Sequence, residues 1–337
     1  MKSESYITHL RLAVNPDFLK MVECAVKAPS GHNTQPWKFY LKESAIEIHP
    51  DLSKALAVVD GNNRELYISL GCAAENLSIA AGEFGYASSF SIESAGGDNY
   101  FIKIGLNNCH AVNNRLFGEI KKRQTNRGLY EKRIISPEII NKLNEIKFQK
   151  GLKLRFFENG STGFRIIREL VAEGNTIQMQ DEAFKSELMS WIRFNKKQIQ
   201  AKQNGLTYEV MGTPATPAWI GRSIVRSFLK PGKQNKTDID KINSSSHMVL
   251  FTIERNDPET WIHLGRALEH FLLELSGAGI ANAYLNQPCE VQEVALKMIS
   301  ALGITGEYPA VLMRLGYSVP LPYSPRKNIE EVVQVLF

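Results

Sequence analysis

The apolar positions of this chain fall into broad helical faces and short compact runs, and their order predicts the elements. Asn15-Pro16 reads as an N-cap followed by proline at the first helical position. Phe18, Leu19, Val22, Cys24, Ala25 and Val26 then supply a wide apolar face, so a helix is predicted to end near Lys27. Two prolines and a glycine between Pro29 and Pro36 break that pattern, and residues 37–41 with 45–49 read as a strand pair. A loop is therefore expected between helix and sheet. Residues 65–84 are apolar nearly all round and stop at Gly85; residues 261–278 do the same before Gly279. Both segments fit buried central helices.

Set side by side, LGCAAENLSIAAGEFGYA and LGRALEHFLLELSGAGIA align without gaps, pairing Leu70 with Leu264, Gly71 with Gly265, Ala73 with Ala267, Glu75 with Glu269 and Gly85 with Gly279. Strand candidates follow each helix, at 101–106 and 310–317. This repetition reads as an internal duplication, with halves at 1–117 and 118–337 and a helix-rich insertion over roughly 174–245. Inside the insertion, the polar stretch 195–204, then GTPATPAW and KPGKQNK, reads as a mobile loop or lid. Helices interleaved with short strand pairs predict an α+β fold around mixed or antiparallel sheets. No GxGxxG follows a strand, which disfavours a Rossmann architecture.

An apolar fraction of 43% over 337 residues supports a sizeable core. The net charge of +5 is small for this length and gives no long nucleic-acid footprint. Cys24, Cys72, Cys109 and Cys289 lie far apart and form no CxxC pair, so neither a zinc nor an iron–sulfur site is expected. The opening MKSESYITHLRLAV lacks a signal-peptide core, and no apolar run approaches spanning length. The expectation is a cytoplasmic chain with neither membrane nor nucleic acid as a partner.

Candidate chemistry gathers in three places. The loop APSGHNTQPW, residues 28–37, is rigid and offers a serine hydroxyl, an asparagine amide and open backbone groups, which suits the edge of a flat heterocycle. On residue chemistry alone a structural loop explains it better. In KKRQTNR, Arg123 and Arg127 are four apart with Thr125 between them, a set that can converge on one phosphate. Such a run also fits a solvated basic turn. Near the C-terminus, Arg326 and Lys327 form a second basic pair after the strand candidate at 310–317.

Together these segments resemble the nitroreductase family of FMN-dependent enzymes, most closely its twin-domain, Acg-like branch. Residues 28–37 match the family's ring-contacting loop at proline, serine, asparagine, glutamine, proline and tryptophan; RQTNR resembles its phosphate-binding Arg-x-Ser/Thr-x-Arg. Arg326 and Lys327 resemble its C-terminal basic pair, and Asp60, Arg64 and Glu65 match the branch's Asp-x-x-x-Arg-Glu. Ordinary members are homodimers in which one subunit gives the phosphate motif and the other the ring loop. Here the first half has the loop, but residues 3–12 show no Arg-x-Ser-x-Arg; the second half has Arg123, Thr125 and Arg127 but no Pro-Ser-x-x-Asn loop near 145–153. One complementary pair implies one FMN per chain in a single-chain pseudo-dimer, whether that chain stays alone or forms a homodimer.

The resemblance implies that Arg123, Thr125 and Arg127, helped by Arg326 and Lys327, hold the phosphate. Pro29, Ser30 and Asn33 would line the isoalloxazine edge, and the backbone at 284–286, including Leu285 and Asn286, would face flavin N5. Gln35 and Trp37 would brace the loop. The implied activity is oxidoreduction: hydride from NADH or NADPH enters at flavin N5 and passes to a nitroaromatic, quinone or similar small acceptor, with no side-chain acid or base and no metal required. The alternative is an FMN-sequestering protein whose insertion forms a lid over the flavin.

Overall fold

The computed structural model describes residues 15–335 apart from residue 98. The segment 3–12, expected to lack a phosphate motif, lies outside the described residues. In the first half, helix α1 (Pro16–Ala25) starts as the sequence predicts, with the Asn15 side chain accepting the Asp17 N–H at 3.0 Å. Strands β1 (Trp37–Leu41) and β2 (Ala45–Pro50) follow, then helix α2 (Arg64–Glu83), where Asp60 accepts the N–H groups of Glu65 and Leu66 at 3.0 Å each. Strands β3 (Tyr86–Gly96) and β4 (Asn99–Asn108) complete this half. The predicted strand at 101–106 is the middle of β4, whereas β3 was not foreseen. Its YASSFSIESAG pattern is exposed on both faces for much of its length, so the alternation that marks a half-buried strand is missing.

The second half runs α3 (Pro137–Asn144), β5 (Leu152–Glu158), α4 (Thr162–Gln180) and α5 (Glu182–Ser190). A short two-stranded piece follows, β6 (Ile192–Arg193), α6 (Lys196–Lys202) and β7 (Leu206–Thr207), then α7 (Ala218–Phe228) and α8 (Pro231–Asn243). Next come β8 (His247–Ile253), α9 (Pro258–Gly277), β9 (Ala281–Tyr284), α10 (Gln287–Glu290), α11 (Gln292–Leu302), β10 (Tyr308–Gly316) and β11 (Val333–Val335). The loop reading of 195–204 and of KPGKQNK is corrected: α6 occupies most of the former, and Pro231 starts α8 at a position where its missing N–H costs nothing.

This is the expected α+β fold with two tandem halves. One sheet has the order β11-β1-β2-β4-β3, the other β5-β8-β10-β9, the latter antiparallel throughout. The C-terminal β11 returns to pair in parallel with β1, which stitches the chain's end onto its first half. Between the sheets α2 and α9 cross. A Cβ on Gly71 would lie 2.1 Å from the Ile262 carbonyl oxygen, and one on Gly265 would lie 2.1 Å from that of Ile68. The register that pairs Gly71 with Gly265 also pairs Ile68 with Ile262, so the contact is reciprocal, as about a local two-fold axis. One large apolar cluster runs through both sheets around this crossing; a second lies behind the β5–β10 sheet, and a small third, with Phe184, Ile192 and Phe194, lies under the insertion.

Candidate functional site

Where α1 ends, the chain makes a turn that regular structure does not allow. His32, Asn33 and Gln35 have φ of 48°, 56° and 55°, a left-handed conformation uncommon for non-glycine residues. The contacts that fix it come from distant segments. Gln35 is fully buried; its Nε2 donates to the Gln203 carbonyl at 2.8 Å and its Oε1 accepts the Lys327 N–H at 2.8 Å. Asn33 Nδ2 donates to the carbonyls of Gly205 and Pro325 at 3.2 and 3.1 Å, and its Oδ1 accepts from Arg326 Nη1 at 3.0 Å. The bracing role expected of Gln35 is what the structure shows. The Asn33 amide is also spent on bracing, so its direct contribution to a ligand is limited to the surface it presents. Ser30 Oγ accepts the Gln35 N–H at 3.0 Å and keeps its own proton free to donate.

This loop forms one wall of a cavity of about 1260 Å³. All ten residues nominated from the sequence line it: Pro29, Ser30, Asn33, Arg123, Thr125, Arg127, Leu285, Asn286, Arg326 and Lys327. They come from both halves and from the C-terminal segment, and only tertiary folding brings them together.

The cations differ in what holds them. Arg123 is 5% exposed, lies 3.3 Å from Glu269 in an ion pair without hydrogen-bond geometry, and donates to the Lys27 carbonyl at 2.7 Å. Arg326 donates to the same carbonyl at 3.0 Å and to that of Ala28 at 3.2 Å. Two guanidiniums thus converge on one oxygen, and Glu269 is ion-paired with one of them, Arg123. Burial, with Arg123 alongside, pushes Arg326 down to about 9, and burial pushes Glu269 up against the pull of Arg123. Arg127 forms no ion pair or hydrogen bond among the described residues, and its pKa is lowered by burial. Lys327 likewise has no ion pair there, and burial lowers it too. The site therefore holds more positive charge than its carboxylates balance, a condition that favours an anionic ligand.

The segment 284–286 departs from expectation in one respect. The Leu285 N–H donates to the Leu312 carbonyl at 2.8 Å and is not free for a ligand. The Asn286 side chain is also engaged, with Glu65 at 3.1 Å and with the Leu312 N–H at 3.0 Å. Two orphaned polar atoms compensate: the Tyr284 hydroxyl and His32 Nε2 are buried in the cavity wall without partners among the described residues. Burial and the Arg127 charge push His32 down to about 4, so it is neutral at pH 7.

Sequence reasoning missed an acidic edge of this cavity. Glu65, at the start of α2, and Glu290, at the end of α10, both line it, and Gln178 Nε2 donates to Glu290 Oε2 at 2.5 Å. Burial and the neighbouring Glu65 push Glu290 well above the usual carboxylate range. Asp60, beneath the cavity, is pushed up to about 7 by the same two causes, burial first. The Asp-x-x-x-Arg-Glu pattern was a signal for Glu65; nothing local marks Glu290. The insertion also supplies lining, from Asn175, Gln178 and Asp238 on the polar side to Phe184, Leu188 and Leu206 on the apolar side.

No protein-family model matches the chain. Two curated relatives from Mycobacterium tuberculosis, strains CDC 1551 and H37Rv, carry the provisional name NAD(P)H nitroreductase. Each is 24% identical over 321 residues, covering 92% of this chain and 89% of the relative. Among solved structures, the FMN-dependent nitroreductase NfnB from Mycobacterium smegmatis, in complex with NADPH, is 11% identical with a TM-score of 0.41, covering 64% of this chain and 95% of its own. A nitroreductase with bound FMN from Bacteroides fragilis is 15% identical with a TM-score of 0.37, covering 61% and 90%. The resemblance to nitroreductases read from the motifs is thus met, in the curated relatives, over nearly the whole chain.

Proposed function

We propose that this chain binds one FMN in the composite cavity and acts as an NAD(P)H-dependent oxidoreductase of nitroreductase type. The observation that carries the proposal is the convergence of all ten motif residues, from segments 29–33, 123–127, 285–286 and 326–327, on that one cavity. The donor set fits the group. Arg123 and Arg326, held together by the Lys27 carbonyl, with Thr125 and Arg127 in the same lining, suit a phosphate; the Ser30 hydroxyl, Tyr284 Oη and His32 Nε2 suit a heterocycle edge rich in acceptors and donors. The half boundary near 117/118 belongs to the same proposal, since the phosphate motif opens the second half.

When bound, the flavin supplies the two-electron redox chemistry, with NADH or NADPH as transient donor, reduction expected at N5, and a nitroaromatic, quinone or similar small acceptor. The protein's residues have other tasks. Gln35, Asn33 and Arg326 hold the loop in its strained form, so the site is preorganised before any ligand arrives. Phe184, Leu188 and Leu206 narrow the insertion side and exclude water. Glu290, kept toward its protonated form, places a proton at the cavity edge.

The contacts between the insertion and the loop favour a second reading, FMN sequestration. Gln203 and Gly205 bond directly to Gln35 and Asn33, so the insertion is anchored over the loop. Anaerobic mixing of flavin-loaded protein with NADH and with NADPH separates the two. Rapid bleaching of the flavin absorbance supports the oxidoreductase; tight retention without bleaching by either nucleotide refutes it and leaves sequestration.

A further inference from the structure

The insertion carries a surface that the cavity does not use. Helix α7 packs inward through Gly221, whose Cβ position is 2.3 Å from the Phe194 ring, and through Ala218 and Val225 on the small core that also holds Met179, Phe184 and Leu229. Three of its other apolar side chains are exposed: Trp219 is 74%, Ile224 45% and Phe228 54% exposed. Exposed cations surround them. Arg222 and Arg226 lie on α7; Lys230, Lys233 and Lys236 follow immediately. None of these five forms an ion pair among the described residues, and Lys233 Nζ sits 4.7 Å from the centre of the Phe228 ring.

The charge distribution is lopsided. Between residues 210 and 237 there are five cations and no Asp or Glu, while the whole chain has a net charge of +5. The excess positive charge of the protein therefore resides in this one stretch, and the remainder is balanced. At 100° per residue, Ala218, Gly221 and Val225 face the protein, Ile220, Ile224 and Phe228 lie to one side of that buried stripe, Arg222, Arg226 and Trp219 lie to the other, and Ser223 and Ser227 face away from the protein between them. Exposed apolar side chains on both flanks of a helix, Trp219 on the flank that carries Arg222 and Arg226, fit a helix that lies along a lipid–water interface.

We propose that α7 and the start of α8 dock this chain on an anionic membrane surface, with Trp219 and Ile224, one on each exposed flank of α7, entering the headgroup region and Arg222, Arg226, Lys230, Lys233 and Lys236 meeting lipid phosphates. Charge complementarity selects the occupant, because an anionic lipid surface offers negative charge along the whole stretch while its interior accepts exposed apolar side chains. This revises the expectation of no membrane partner. That expectation rested on the absence of a spanning apolar run, which a helix lying flat does not need. The proposal is independent of what the cavity binds.

The test is co-sedimentation of the full chain with vesicles of phosphatidylcholine alone and of phosphatidylcholine mixed with phosphatidylglycerol, together with tryptophan emission. Binding to the mixed vesicles is expected to be at least tenfold tighter, to weaken with added salt, and to shift the emission to the blue. Trp219→Ala is expected to remove that shift. The double variant Arg222→Glu/Arg226→Glu, checked for folding by circular dichroism, is expected to bind at least tenfold more weakly, at about fivefold per charge lost. Equal binding to both vesicle types, or no loss in the double variant, overturns the proposal. So does a folded protein that ignores vesicles, including one that self-associates in sedimentation equilibrium in a Trp219-dependent way, which would assign the face to a second copy.

Discussion

Replacing Gly265 by alanine places a methyl group where the structure has none to spare. Its Cβ would sit 2.1 Å from the Ile68 carbonyl oxygen and 2.9 Å from Gly71 Cα, and neither neighbour is a flexible side-chain end. Both are backbone in a buried helix, so α2 and α9 must separate by about 1 Å, an overpacking strain expected to cost about 3 kcal/mol. For a chain of this size that is a drop in Tm of roughly 4 °C. The reciprocal contact adds a sharper expectation. Gly71→Ala meets the Ile262 carbonyl at the same 2.1 Å, so the two single variants should lose similar stability. The double variant should lose clearly less than their sum, because helices already pushed apart by one methyl accommodate the second. Thermal and urea unfolding of the wild type, both singles and the double closes this cycle. Single variants that differ by more than about 2 kcal/mol, or a fully additive double, would show that the crossing is not the symmetric contact described here.

Arg123 and Arg127 look alike in the sequence but should behave differently. Arg127→Leu should weaken FMN binding at least tenfold with little loss of stability, because Arg127 has no protein partner among the described residues; flavin titration and thermal unfolding read the two effects separately. Arg123→Leu strands the buried Glu269 and should cost about 3–5 kcal/mol of stability in addition to flavin affinity, whereas the double variant Arg123→Leu/Glu269→Leu should recover stability but not affinity. Glu307 sets part of the acid stability. Although burial opposes it, hydrogen bonds from Arg155, Thr252 and Lys153 hold its carboxyl down at about 2, below its ordinary 4.5. A depressed carboxylate stabilises fully above the unfolded value and loses that contribution as pH falls from about 4.5 toward 2. Glu307→Gln should therefore flatten the acid limb by roughly 3 kcal/mol in urea titrations run across that window, and an unchanged limb would refute the assignment.

What the sequence disclosed followed physical locality. The N-cap of α1 and the glycine stops of α2 and α9 are local features, and their predicted positions agree with the structure to within a few residues. The Gly71–Gly265 correspondence was legible because a close helix crossing leaves its mark as a glycine in each partner. β3 was not, since an edge strand with both faces partly in water needs no alternation, nor was β8, whose seven residues are all buried. Of the site, the sequence named its lining but not its wiring. That Arg123 is tied to Glu269, that Asn33 and Arg326 bond to one another, and that Glu290 faces Glu65 are relations between segments far apart in the chain. No local pattern carries them.

The central claim is that two unlike halves build one flavin site. Flavin released by denaturing the protein, after saturation with FMN and removal of the excess, is quantified against protein concentration for the wild type and for Arg127→Leu. The account predicts one FMN per chain in the wild type and a substoichiometric amount in the variant. Two FMN per chain, or none with the cavity residues intact, would contradict it.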